Sequence, residues 1–182
     1  PRSHVDRDFV LMTHAWKLPV GARRPDPNAM ADFNVLTFNS KAFPGTQPLL
    51  IGVGERVRIR FGNLSAMDHH PIHLHGLWFR ETATDGGFVP ASAQRPETTV
   101  LVPVGSTRVI EFEATEPGDW AMHCHMTHHV MTQMGHGLPN AVGADLSRQP
   151  IALGYAVDAD GVCFTVSVPK DLHQRLERDA TL

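Results

Sequence analysis

Only two of the 182 residues are cysteines, Cys124 and Cys163, so no disulfide framework holds this chain together. No apolar run approaches the ~18–20 residues needed to span a bilayer as a helix. A basic excess is also missing. The formal net charge is −3 and both signs are mixed along the chain, which excludes the electrostatic footprint of a nucleic-acid binder. Helical signal is sparse, and internal repeats and low-complexity tracts are absent. The first residues, Pro1 to Asp8, are polar and include neither an initiator Met nor a signal-peptide apolar core. The numbering is therefore expected to start at a cleaved, truncated or domain-excised end, and the missing signal carries no information about location.

What remains is a chain with 42% hydrophobic residues, enough for a sizeable core, and a series of short strand patterns. Phe9 to Trp16 and Val35 to Phe38 read as strands. Arg56 to Phe61 alternates, with Val57, Ile59 and Phe61 on one face and Arg56, Arg58 and Arg60 on a face expected to be solvated. Ile72 to Phe79 is a further candidate. Thr98 to Val102 and Arg108 to Phe112 flank the turn Pro103-Val104-Gly105-Ser106 and read as a hairpin-like pair. Trp120 to His125 follows the turn Pro117-Gly118-Asp119. Trp78, Phe79 and Trp120 are expected in the core. One helical turn is expected over His128 to Gln133, and helix-friendly composition over Asp171 to Asp179. Ile151 to Val157 and Val162 to Val168 read as two late strands. Many short strands between Gly/Pro turns indicate an all-β sandwich or small barrel.

Histidine is the residue in excess. Nine of the 12 histidines fall in two short windows, four within 69–75 and five within 123–136, and five of the seven methionines lie in or beside them. The first window is His69-His70-Pro71-Ile72-His73-Leu74-His75-Gly76. The second is His123-Cys124-His125-Met126-Thr127-His128-His129, with Met134 shortly after. Clustered imidazole, thiolate and thioether point to a soft-to-borderline metal. A strand alternates faces with period two. His73 and His75 therefore share one face, as do His123 and His125, while Cys124 points to the opposite side. One short strand thereby serves two metal sites, with Cys124 covalently joined to both flanking imidazoles. Two imidazoles, one thiolate and a weak axial thioether form the blue-copper set, and Cys124, His129, Met134 and His70 supply it. A structural zinc site would call for a closed Cys/His set with more cysteine.

The two windows resemble the copper motifs of the last domain of multicopper oxidases, the laccases, bilirubin oxidases and copper-resistance oxidases. The pattern is His-Pro-x-His-x-His-Gly followed by His-Cys-His-x-x-x-His and an axial residue. It is matched at His70, Pro71, His73, His75, Gly76, His123, Cys124, His125, His129 and Met134. The resemblance runs from about residue 8 to 137. It implies an all-β, cupredoxin-like Greek-key sandwich over 8–137, with 138–182 as an extension or small appendage. It implies type 1 copper on His70, Cys124, His129 and Met134, type 2 copper on His73, and type 3 copper on His75, His123 and His125. It also implies electron uptake from a small reductant, such as a phenol, Cu(I) or another metal ion, and reduction of O₂ to water at a trinuclear cluster.

Two departures stand out. Gln133 occupies a position usually held by Gly. The cluster of this family also needs eight imidazoles, whereas this chain carries half of them. A partner cupredoxin domain or a second copy in a homo-oligomer is thus expected to complete it, in periplasmic or secreted surroundings. A non-catalytic blue-copper electron carrier and a copper nitrite-reductase-like enzyme are the competing readings. His69 and His128 are expected beside the ligands rather than among them, and His136 in a loop. His4, His14 and His173 are expected to be unremarkable, and Cys163 a buried free thiol. Asp68 and Asp85 are candidates for the edge of the type 1 site, with turn roles as the alternative.

Overall fold

The computed structural model describes residues 4–19, 21–30, 33–42, 45–126, 129 and 163–168. Their strands are β1 (Arg7–Trp16), β2 (Val35–Phe38), β3 (Leu49–Leu50), β4 (Arg56–Asn63), β5 (His70–Leu74), β6 (Arg80–Thr84), β7 (Gly87–Phe88), β8 (Thr99–Val102), β9 (Thr107–Glu113), β10 (Gly118–Cys124) and β11 (Cys163–Val168). A 3₁₀ turn at Ala91–Ala93 is the sole named helical element among the described residues. The strands form two sheets, one ordered β2-β1-β4-β9-β6-β7 and the other β3-β11-β10-β5-β8. Pairing is antiparallel except for β1 with β4 and β3 with β11. The all-β sandwich expected from the turn spacing is the observed architecture. β11 adds to β10 in the second sheet. The expected strand at 151–157, the segment 171–179 and, except for His129, the turn at 128–133 lie outside the described residues.

Alternation builds the core. Val57, Ile59 and Phe61 of β4 face Ile72, Val100 and Val102 of the other sheet within one buried cluster. Each such side chain, fully removed from water, contributes roughly 1.5–3 kcal/mol. The opposite face of β4 is not simply solvated, contrary to expectation. Arg58 is only 8% exposed. Its register partners on the flanking strands are Asp8 of β1 and Glu111 of β9, and it pairs with both, at 3.3 Å and 2.7 Å. Neighbouring strands supply the counter-charges that a single strand pattern does not reveal. Arg60 also binds Asp8 and, with Arg58, holds that carboxyl below its usual range.

Two further expectations are corrected. β8 and β9 are not a hairpin. β8 pairs with β5 and β9 with β4 and β6, so the turn at 103–106 carries the chain across the sandwich. Main-chain bonds from Gly105 to Asn63 and from Asn63 to Ser106 pin that turn to the end of β4. Periodicity marks a strand but not its sheet, because a tight turn can join neighbours or cross between layers. The strand expected over 72–79 ends at Leu74, because Gly76 adopts φ +69. Phe79 is buried, but Trp78 beyond the turn is 54% exposed, not core, and lies under the Arg80 guanidinium. Trp120 is half-buried against the core, its ring covering Gly76.

Gly76 has two reasons to be glycine, its left-handed backbone and the Trp120 ring occupying the space a Cβ would need. Gly54 has the same backbone handedness, φ +82, with open space around it. Gly54→Ala is expected to cost about 1–2 kcal/mol through backbone strain alone. Gly76→Ala is expected to cost a further 1–3 kcal/mol or so from overpacking. Urea midpoints of the two variants check the difference.

Candidate metal centre

The centre is organised by β5 and β10, antiparallel neighbours with Cys124 opposite Ile72 and His73 opposite His123. Alternation sorts the residues of both strands. His70, Ile72 and Leu74 on β5, and Met122 and Cys124 on β10, are buried toward the core. His73 and His123 take the other face. His75 and His125 lie one residue past the strand ends. Their amides still bond across, His75 N–H to the Ala121 carbonyl and His125 N–H to the Pro71 carbonyl. The ladder therefore holds all four imidazoles on the outer face.

On the inner face, His70, Cys124 and His129 bring one donor atom each to within 4.8 Å of one another, and all three residues are buried. Cys124 Sγ lies 3.3 Å from His129 Nδ1. The His129 amide donates to the Met126 carbonyl, which helps to hold this ring beside the thiol. His70 Nε2 is 2.9 Å from the Ser65 hydroxyl. Its Nδ1 is buried with no hydrogen-bond partner among the described residues. Burial, followed by the neighbouring His129 and His69, pushes the His70 imidazole down to about 3. Burial pushes the Cys124 thiol up to about 12, with the Met126 amide opposing and the Asp68 charge adding. At neutral pH the metal-free pocket thus holds a neutral imidazole and an intact thiol. An unpartnered ring nitrogen in such a place is costly unless a cation takes it. A His₂Cys donor set fits a type 1 copper, whose binding would release the thiol proton.

The outer face carries the second group. Ring centroids are 4.7 Å apart for His73–His75, 5.2 Å for His73–His125, 5.1 Å for His75–His123 and 5.5 Å for His123–His125. His75 Nε2 and His123 Nε2 approach to 3.0 Å. His123 Nδ1 donates to the Cys124 carbonyl at 2.8 Å, which leaves Nε2 as the free donor atom. His73 Nδ1 meets the Thr99 hydroxyl at 2.9 Å, with the same consequence if the ring donates. Burial and the neighbouring imidazoles both hold the His73 ring below its ordinary range. His75 and His125 remain exposed, so this face is open on the side away from the sheet.

Most of the predicted residues fall into these two groups. Met134, His128 and His136 lie outside the described residues. His69 is exposed and its Nδ1 accepts the Val104 amide, apart from both groups. Asp85 binds the Thr107 amide and the Arg108 guanidinium at the turn between β6 and β7. Asp68 is at the inner centre, with Oδ1 3.9 Å from His129 Nε2. Sequence reasoning missed Asn63, Ser65 and Thr99. Asn63 is buried, accepts the Ser65 amide and donates to the carbonyls of Asp68 and Val102. The only sequence signal was a polar Asn-x-Ser at the end of an apolar strand.

Residues 17–143 match the family model described as multicopper oxidase. The chain is 39% identical over 94 residues to copper resistance protein A of Pseudomonas syringae pv. tomato, covering 52% of this chain and 14% of that protein. It is 35% identical over 98 residues to multicopper oxidase MmcO of Mycobacterium tuberculosis, covering 54% and 18%. Against laccase-11 of Arabidopsis thaliana it is 34% identical over 135 residues, covering 62% and 24%. The chain thus spans less than a quarter of the length of these relatives. Among solved structures, the multicopper oxidase mgLAC superposes with a TM-score of 0.67 at 26% identity, over 90% of this chain and 44% of that one. A copper nitrite reductase from Nitrosomonas europaea, at 16% identity and a TM-score of 0.65, shares the fold. With a matching family model over most of its length and a His₂Cys group suited to the copper that family uses, this chain belongs to the multicopper oxidase family.

Proposed function

We propose that this chain is the type 1 copper-bearing cupredoxin domain of an oxidase that draws electrons singly from a small reductant and passes them to O₂. The observation that carries this reading is β10. Cys124 faces the inner donor set while His123 and His125, its covalent neighbours, face the outer imidazoles. His70, Cys124 and His129 would hold the inner copper, with Met134 as the axial ligand. His73 would serve type 2 copper, and His75, His123 and His125 the type 3 pair. When bound, copper supplies one-electron acceptance on the inner face and the reduction of O₂ to water on the outer face.

The chain's own residues do the rest. The peptide links on either side of Cys124 join the two faces through bonds alone. Ser65 engages Nε2 of the His70 ring and so would leave Nδ1 to hold the inner copper. The Cys124 carbonyl and the Thr99 hydroxyl do the same for His123 and His73, leaving Nε2 for the outer site. The core side chains around Cys124 keep water from its sulfur. Electron transfer alone would need only the inner group, so the four outer imidazoles favour an oxidase over a carrier. The outer group is half of a cage, and its open side would receive four more imidazoles from a second cupredoxin domain or a second copy. The first fits a chain spanning 44% of a solved oxidase. The reductant would be a phenol, Cu(I) or another metal ion, and the setting periplasmic or secreted. Residues 8–137 would form the cupredoxin domain, with 138–182 extending it.

In the assembly that completes the outer group, Cys124→Ser is expected to abolish the visible thiolate-to-copper absorption and the oxidase activity. His123→Ala or His125→Ala should keep that absorption while stopping oxygen uptake, and loss of the absorption in the latter pair would contradict the separation of faces. Ser65→Ala is expected to weaken copper binding at the inner site by about 10–100-fold, measured by competition with a chelator. Copper counting alongside solution mass tests the half-cage. A dimer with about 2.5 coppers per chain identifies a second copy as the partner. A monomer with one copper places the missing imidazoles on a further domain. A monomer that consumes O₂ unaided would overturn the proposal.

A further inference from the structure

The loop from Leu64 to His69 delivers one polar side chain to the outer nitrogen of each buried imidazole, and the two differ in kind. Ser65 offers a neutral hydroxyl to His70 Nε2 at 2.9 Å. Asp68 sets a carboxylate oxygen 3.9 Å from His129 Nε2, with side-chain exposures of only 15% for Asp68 and 1% for His129. The carboxylate is not there by the accident of a mobile loop. The Asp68 carbonyl accepts from the Asn63 side-chain amide at 2.8 Å, and the same amide binds the Val102 carbonyl at 2.9 Å. Asn63 is 1% exposed and sits at the end of β4. The residue carrying the charge is thereby fixed to the sandwich.

A charge shielded from water acts on its neighbours several times more strongly than one in bulk solvent. Reduction of a metal beside it adds one electron and lowers the net charge of the centre by one, which a nearby carboxylate opposes. A carboxylate facing the outer N–H of a ligating imidazole also makes the ring a better donor, which favours the more highly charged metal again.

We propose that Asp68 is a positioning residue for electron uptake: acting through His129, its carboxylate lowers the electron affinity of the copper held by His70, Cys124 and His129. The centre is thereby matched to readily oxidised reductants. This rests on the copper assignment above and adds to it the residue that sets the driving force.

The test is the reduction potential of the copper-loaded chain, read by titrating its thiolate-to-copper absorption against mediator dyes, for the parent, Asp68→Asn and Asp68→Glu. Asp68→Asn keeps the shape and removes the charge. It is expected to retain the absorption and shift the equilibrium toward the reduced form at least about tenfold, about 59 mV for one electron. Asp68→Glu keeps the charge and is expected to stay within about threefold of the parent on the same scale. An Asn variant with the parent's potential overturns the proposal. So does an Asn variant that loses the absorption, since Asp68 would then hold the site together rather than tune it. A parent chain that gives no such absorption overturns the copper assignment itself, a result distinct from either.

Discussion

Everything in this molecule that bears on chemistry depends on the pleat of one strand. Because adjacent side chains of β10 leave opposite faces, Cys124 enters the core while His123 and His125 stay outside it. The register with β5 then decides what each meets. Opposite Cys124 is an isoleucine, so its cross-strand neighbour is apolar. Opposite His123 is His73, so the outer face gathers imidazoles from both strands. A slip of one residue would turn the cysteine outward and bury histidine in its place. The paired hydrophobic positions Ile72, Leu74 and Met122, all buried, are what make that slip costly.

Around that pleat the structure supplies rigidity rather than reactivity. The Asn63 side chain ties the end of β4 to β8 and to the loop that approaches the buried imidazoles. The turn at 103–106 is pinned to the same asparagine through its main chain. A pocket of neutral imidazole and protonated thiol, closed on the core side by Met122 and Ile72, has its donors gathered before metal arrives. The outer imidazoles are held differently, one by a carbonyl and one by a threonine hydroxyl, and they remain open on one side.

The sequence made the placement of the histidines and Cys124 legible and the packing less so. His-x-His and His-Cys-His spacings translate directly into faces of a strand, and the inner and outer groups separate as that rule requires. Met134 and the segment around it fall outside the described residues, so the axial position rests on spacing and resemblance. Other features depend on partners distant in sequence. Arg58 was expected in solvent but meets Glu111 across a strand 53 positions away in the chain. The turn at 103–106 was read as joining neighbours but crosses the sandwich. Trp78 was expected in the core but is released by the left-handed turn at Gly76. Ser65 and Asn63 escaped notice because a polar residue at a strand end is ordinarily a turn former, and only the fold brings His70 against it.

The proposed division of one strand between two metal sites is tested most directly by the anomalous difference map at the copper edge, from crystals of the copper-loaded protein. The expected result is a peak on the inner face bonded by His70, Cys124 and His129, separate from any density among His73, His75, His123 and His125. A single metal position bonded by Cys124 together with His123 or His125, or an inner face without metal, would contradict it.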